Sequence, residues 1–168
     1  MMMSHRIRGE TARDLGFRFD NFVAALRLLA LPTLITVAVI LLAVWSYGGL
    51  TLSPFRPRLL FVPVWALFQQ YALCGFINRR AQMLLGVGTG SAILSALLFS
   101  VLHLPSPLLA LLTLVGGFVW SMVYQRQPNL FALAVSHTVV SLVLSLFLPI
   151  SLVPFLRVGF KYFGISIF

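Results

Sequence analysis

The chain has 168 residues, of which 60% are hydrophobic and only 9% are charged, and its mean hydropathy is +1.02. No ordinary soluble domain is this apolar, so the composition predicts a polytopic membrane protein. The net charge of +9 would point to nucleic acid in a soluble protein. Here the cations lie in the tail and between apolar segments, where they set topology and meet anionic lipid. We therefore expect membrane lipids, and no nucleic acid, among the partners.

The N-terminal tail, residues 1–21, is rich in arginine and lacks the apolar core of a signal peptide. It holds every carboxylate side chain of the protein, namely Glu10, Asp14 and Asp20. A mechanism that needs an intramembrane carboxylate is therefore excluded, unless the tail folds back onto the membrane segments. We expect a solvated cytoplasmic tail.

The apolar runs after the tail predict helical segments over 24–47, 59–77, 83–104, 108–124 and 130–148. The polar residues Asn78, Arg79 and Arg80 are expected to close the second helix at an interface. Asn129 is expected to cap the last of the five. Residues 149–168 are expected to form an interfacial helix or part of a sixth span. The predicted fold is an all-α transmembrane bundle of five to six helices, covering residues 22–148.

The third predicted helix is unusual because glycines punctuate its start and prolines follow its end. If it begins near Ser91, it ends at His103, within the membrane rather than beyond it. Such an end requires protein or water around it.

The distribution of arginines gives an orientation. With the N-terminus inside, the inner side carries the tail arginines, Arg79, Arg80 and Arg126, against Arg56 and Arg58 outside. We expect an integral protein of the bacterial plasma (inner) membrane with a cytoplasmic N-terminus.

The polar residues within the predicted membrane helices form a short set: Gln69, Gln70, Cys74, His103, Ser136, His137 and Ser141. Helical spacing places Gln70 with Cys74 on one face, and His137 with Ser141 on another. Two histidines facing an amide pair would build one buried polar site. Taken singly, each residue also fits a structural role, as interhelical hydrogen-bonding glue.

At these residues the sequence resembles the CPBP family of CAAX-protease and bacteriocin-processing intramembrane endopeptidases. That family has a Glu-Glu pair followed by Arg, then Phe-x-x-x-His, then His with Asn four residues later. The corresponding positions here are Gln69-Gln70 with Cys74, Phe99 with His103, and His137 with Ser141. The resemblance runs from about Leu15 to Leu148. It implies an intramembrane endopeptidase acting on membrane-proximal peptides, with catalytic residues Gln69, Gln70, His103, His137 and Ser141.

The departures from the family pattern leave three hypotheses open. An amide orients a water but does not take its proton at neutral pH, so neither glutamine replaces the general base. The protein is then an endopeptidase with His103 or His137 as base, or a pseudoprotease that binds or escorts membrane peptides. In the third hypothesis Cys74 works with the histidines, as a nucleophile or as the third ligand of a zinc ion. The resemblance implies no cofactor firmly.

Overall fold

The computed structural model describes residues 1–54 and 56–148, and within this part of the chain all regular secondary structure is helical, without strands. The predicted all-α bundle is confirmed. Residues 149–168, for which an interfacial or membrane segment was predicted, lie outside the described part. The helices, in chain order, are α1 (Met2–Ile7), α2 (Phe22–Gly48), α3 (Pro57–Leu85), α4 (Thr89–Val101), α5 (Pro107–Arg126) and α6 (Leu130–Phe147).

Four of these helices, α2, α3, α5 and α6, are long and apolar enough to cross a membrane. Helix α4 has 13 residues, which is about 20 Å of helix, well short of a bilayer core of about 30 Å. It ends at Val101, two residues before the predicted end at His103, and a turn carries the chain through His103.

Helix α3 is one continuous rod that changes its winding along its length. It opens as a 3₁₀ turn over Pro57–Phe61, becomes an α-helix over Val62–Gln70, widens to a π-helix over Tyr71–Asn78 and ends as an α-helix over Arg79–Leu85. A π-helical stretch of this kind is rare and frequently marks a functional site.

The prediction that α3 closes at Asn78, Arg79 and Arg80 is wrong. The helix runs on to Leu85 because the protein itself satisfies these polar side chains. Gln82 donates a hydrogen bond to the side-chain oxygen of Asn78. Both arginines pair with Glu10 of the tail. The helix ends only at Gly86, whose φ of 76° breaks the repeat.

Helices α4 and α5 pack at close range through small residues. A Cβ added at Gly117 of α5 would lie 3.3 Å from the Cα of Ala96 and 3.4 Å from the ring of Phe99, both on α4. Glycine at this position therefore permits the close approach of the two helices. The predicted cap at Asn129 is confirmed, because its side-chain oxygen accepts a hydrogen bond from Ala132 N at 2.9 Å.

The N-terminal tail packs on one end of the bundle instead of lying free in solvent. Leu130 N donates to Gly16 O at 2.9 Å, and the phenol of Tyr124 donates to Leu15 O at 2.9 Å. The Asn129 side chain donates to Arg18 O at 2.7 Å. The prediction of a solvated tail overlooked these contacts, which join the tail to the α5–α6 turn. The tail, the C-terminal end of α3 and this turn therefore lie on one side of the bundle.

Candidate active site

The first polar pair joins α3 to the turn after α4. The side-chain nitrogen of Gln69 lies 3.4 Å from Nε2 of His103. On the other side of the ring, Nδ1 of His103 lies 2.7 Å from the backbone oxygen of Phe99. A carbonyl oxygen only accepts, so Nδ1 carries the proton and Nε2 presents a lone pair. His103 is 8% exposed and Gln69 is half-buried, so Gln69 is the more exposed member of this pair.

The second pair joins α3 to α6, one residue further along. The amide nitrogen of Gln70 lies 3.1 Å from Nδ1 of His137. Because the amide donates this hydrogen bond, Nδ1 is the acceptor and the proton of the neutral ring is on Nε2. Gln70 is fully buried and His137 is 8% exposed. The two imidazoles thus present opposite groups, a lone pair on His103 Nε2 and an N–H on His137 Nε2.

Cys74 lies against Gln70, as the helical spacing predicts. Its Sγ donates to the Gln70 side-chain oxygen at 3.6 Å, and the thiol is completely buried. Both ends of the Gln70 amide are therefore satisfied within the protein. Gln69 and Gln70 stand next to each other and each contacts a different histidine, so the structure brings four of the sequence-predicted site residues together.

Ser141 lies one turn beyond His137 on α6. It is half-buried, and its hydroxyl makes no hydrogen bond to other residues in the ranges the structure describes. Of the predicted site residues, Ser141 is the one that these contacts leave out.

The zinc hypothesis does not fit the geometry of the cluster. Within residues 1–54 and 56–148, no three His, Cys, Asp or Glu side chains are arranged to hold a metal ion. Cys74 donates to Gln70, and Nδ1 of His137 is taken by the same amide.

The tail folds back onto the bundle, but its buried carboxylate, Glu10, pairs with arginines and does not join the glutamine–histidine cluster. Glu10 accepts from Arg80 at 2.7 Å and from Arg79 at 3.0 Å, and His5 Nδ1 lies 2.6 Å from it. The hydrogen bonds from Arg80, then His5 and Arg79, hold the pKa of Glu10 well below its usual range, although burial opposes this. Glu10 is thus an ionised structural partner, and the amide–imidazole cluster contains no carboxylate.

A short polar chain around His137 was not predicted from the sequence. Trp120 of α5 stacks on the imidazole, and its indole nitrogen donates to Ser136, which in turn meets Thr33 of α2. Tryptophan and threonine in apolar helices give no signal by spacing alone, because the contacts join three different helices.

The fold and the cluster define a polytopic helical membrane protein with a buried amide–imidazole site. A model of the type II CAAX prenyl endopeptidase Rce1-like family matches residues 33–143, which includes all three motif segments. The chain belongs to this family, and the resemblance seen in the sequence is confirmed. No curated protein and no solved structure matches the chain. Family and apolar helices together make it a CAAX-protease-like integral membrane protein.

Proposed function

We propose that this protein is an intramembrane endopeptidase in which His103 takes the role of general base. The observation that carries the proposal is the hydrogen bond from Nδ1 of His103 to Phe99 O, which leaves the Nε2 lone pair facing Gln69 at 3.4 Å. A neutral imidazole held in this tautomer accepts a proton from water at neutral pH. The Gln69 amide donates to that lone pair across a long 3.4 Å contact, so a water that enters between them would accept from Gln69 and donate to His103.

His137 is suited to the complementary role. Because Gln70 occupies Nδ1, the free N–H of His137 is on Nε2, and an N–H in a buried site stabilises the oxyanion of a tetrahedral intermediate. Ser141, one turn along, supplies a second donor. Gln70 holds the His137 tautomer rather than touching the substrate.

The proposed reaction balances within these residues. His103 Nε2 takes a proton from water as the oxygen attacks the scissile carbonyl carbon, and His137 Nε2–H donates to the resulting oxyanion. The intermediate collapses, the C–N bond breaks, and the protonated His103 gives its proton to the leaving amine. The products are a carboxylic acid and an amine, and both histidines return to their starting states.

The substrate we propose is a peptide segment close to the membrane surface. The membrane-embedded protease family supports a lipid environment and peptide substrates. We place the N-terminus, together with Arg79, Arg80 and Arg126, in the cytoplasm of a bacterial cell, on the basis of the arginine bias. The contacts between the tail and the ends of α3 and α5 support a shared side for these groups.

A second candidate, a pseudoprotease that binds membrane peptides without cutting them, is favoured by the Gln70–Cys74 pair. At the family's Glu and Arg positions this chain has an amide and a thiol that satisfy each other at 3.6 Å. The negative charge of the family's Glu and the positive charge of its Arg are thus both replaced by uncharged groups. The site is satisfied internally but has no carboxylate.

The test is cleavage of a labelled membrane-proximal peptide by the purified protein in detergent. We expect wild type to cleave and His103→Gln to lose roughly 100-fold or more of the rate, the usual contribution of a general base. Ser46→Ala, which changes an exposed hydroxyl on α2 outside the cluster, should retain the activity. Binding of the peptide by wild type without any cleavage would overturn the endopeptidase proposal and establish the pseudoprotease.

A further inference from the structure

We propose that Trp120 is a positioning residue for His137, held in place by Ser136 and Thr33; the use made of His137 rests on the function proposed above. The indole stacks on the imidazole with ring centroids 4.5 Å apart and an interplanar angle of 23°. Gln70 fixes the edge of the same imidazole through Nδ1. With one face and one edge held, the ring keeps a single orientation, and its Nε2–H points in a fixed direction.

The indole is itself held by polar contacts and by its own helix. Its Nε1 donates to Ser136 Oγ at 3.1 Å, and that oxygen lies 2.7 Å from Thr33 Oγ1. Trp120 is 7% exposed. A Cβ added at Gly116 would lie 3.1 Å from the six-membered ring of the indole, so glycine one turn earlier leaves the space that the indole fills.

The chain of contacts links three helices to one imidazole. Thr33 belongs to α2, Trp120 to α5, and Ser136 directly precedes His137 on α6. A buried indole that served only as packing would need some acceptor for its N–H. Here the acceptor is Ser136, which directly precedes His137, the residue on which the indole stacks. A displacement of Ser136 or of the indole would therefore also displace the His137 ring. Preorganised donors of this kind are what oxyanion stabilisation requires.

The experiment reads the imidazoles directly and does not depend on cleavage. The chain has 3 histidines, so the full-length protein labelled with ¹⁵N-histidine in detergent gives a simple long-range ¹H–¹⁵N spectrum. In wild type we expect His137 as the pure Nε2–H tautomer. In Trp120→Leu we expect mixed tautomers and shifted ring resonances for His137, with His103 unchanged. Trp65→Phe, which alters an exposed tryptophan, is the matched control.

Two further variants keep the proposal falsifiable if Trp120→Leu does not fold. Trp120→Phe keeps an aromatic face but loses the N–H, and Ser136→Ala removes the acceptor. Both should shift the His137 resonances and, if wild type cleaves peptide, lower kcat with KM nearly unchanged. A His137 spectrum identical to wild type in these folded variants would overturn the proposal. A failure of wild type to cleave would instead contradict the proposed function and leave the spectroscopic test intact.

Discussion

At the scale of single residues, two adjacent glutamines occupy different environments. Gln70 is fully buried, donates to His137 and accepts from Cys74, whereas Gln69 is half-buried and makes one longer contact with His103. The same substitution at the two positions should therefore lower the free energy of unfolding by different amounts, although both positions correspond to glutamates in the family motif.

We predict that Gln70→Glu destabilises the protein by about 3–5 kcal/mol, because it removes the donor to His137 and buries a carboxyl group without a cation. Gln69→Glu should cost less than about 2 kcal/mol, since its side chain is partly exposed. The measurement is thermal unfolding of both variants in the same detergent. Equal losses for the two variants would contradict the assignment of Gln70 as the buried member of the pair.

Much of this cluster could be predicted from the sequence, because polar residues are rare in these helices and each stands out. Spacing alone placed Gln70 and Cys74 together, and the thiol contact confirms it. The sequence did not reveal that each glutamine contacts a different histidine, nor that Trp120 stacks on His137. Those contacts depend on the relative rotation of helices, which periodicity within one helix does not determine.

At the scale of helices, the placement of His103 depends on the close approach of α4 and α5. Phe99 supplies the backbone oxygen that fixes His103, and its ring lies against the site where a Cβ on Gly117 would stand. The two helices approach closely enough that the added methyl group would touch the backbone of Ala96 at 3.3 Å.

We predict that Gly117→Ala destabilises the bundle by about 1–3 kcal/mol through overpacking. It should also alter the His103 imidazole resonances more than those of His137. Gly90→Ala is the control, because its added Cβ would meet only the flexible end of Leu85 at 4.0 Å. Thermal unfolding and the histidine spectrum of both variants give the comparison. An unchanged melting temperature in Gly117→Ala would show that α4 and α5 can separate freely.

The bounds of the helices were predicted well where glycine, proline or a cap marks an end, as at Asn129 and after Val101. The end of α3 was predicted wrongly because the arginines, which usually mark a membrane boundary, were also taken to mark the end of the helix. Here they are neutralised by Glu10, which is distant in sequence. The π-helical winding over Tyr71–Asn78 also gave no signal in the hydropathy pattern.

At the scale of the whole molecule, the tail is joined to the end of α3 by a cluster of ionic and aromatic contacts. Glu10 is paired with Arg79 and Arg80, and the ring of His5 packs between Tyr71 and Phe76 at centroid distances of 5.7 Å. These aromatic residues belong to the π-helical stretch that begins directly after Gln70. Release of the tail would therefore loosen the helix that carries the glutamine pair.

We predict that Glu10→Gln destabilises the protein by about 1–3 kcal/mol at neutral pH, because it replaces charged hydrogen bonds to two arginines. Folding lowers the pKa of Glu10 from an ordinary value of 4.5. Its contribution to stability is thus fully present above about 4.5 and is lost as the pH falls below that value. The difference between wild type and Glu10→Gln should then shrink on acidification. Asp20→Asn, in an exposed ion pair, should cost less than about 1 kcal/mol. Melting temperatures of wild type and Glu10→Gln at neutral and acidic pH, together with the rate of proteolysis in the tail, test the prediction. A difference in melting temperature between these two proteins that does not change with pH would contradict it.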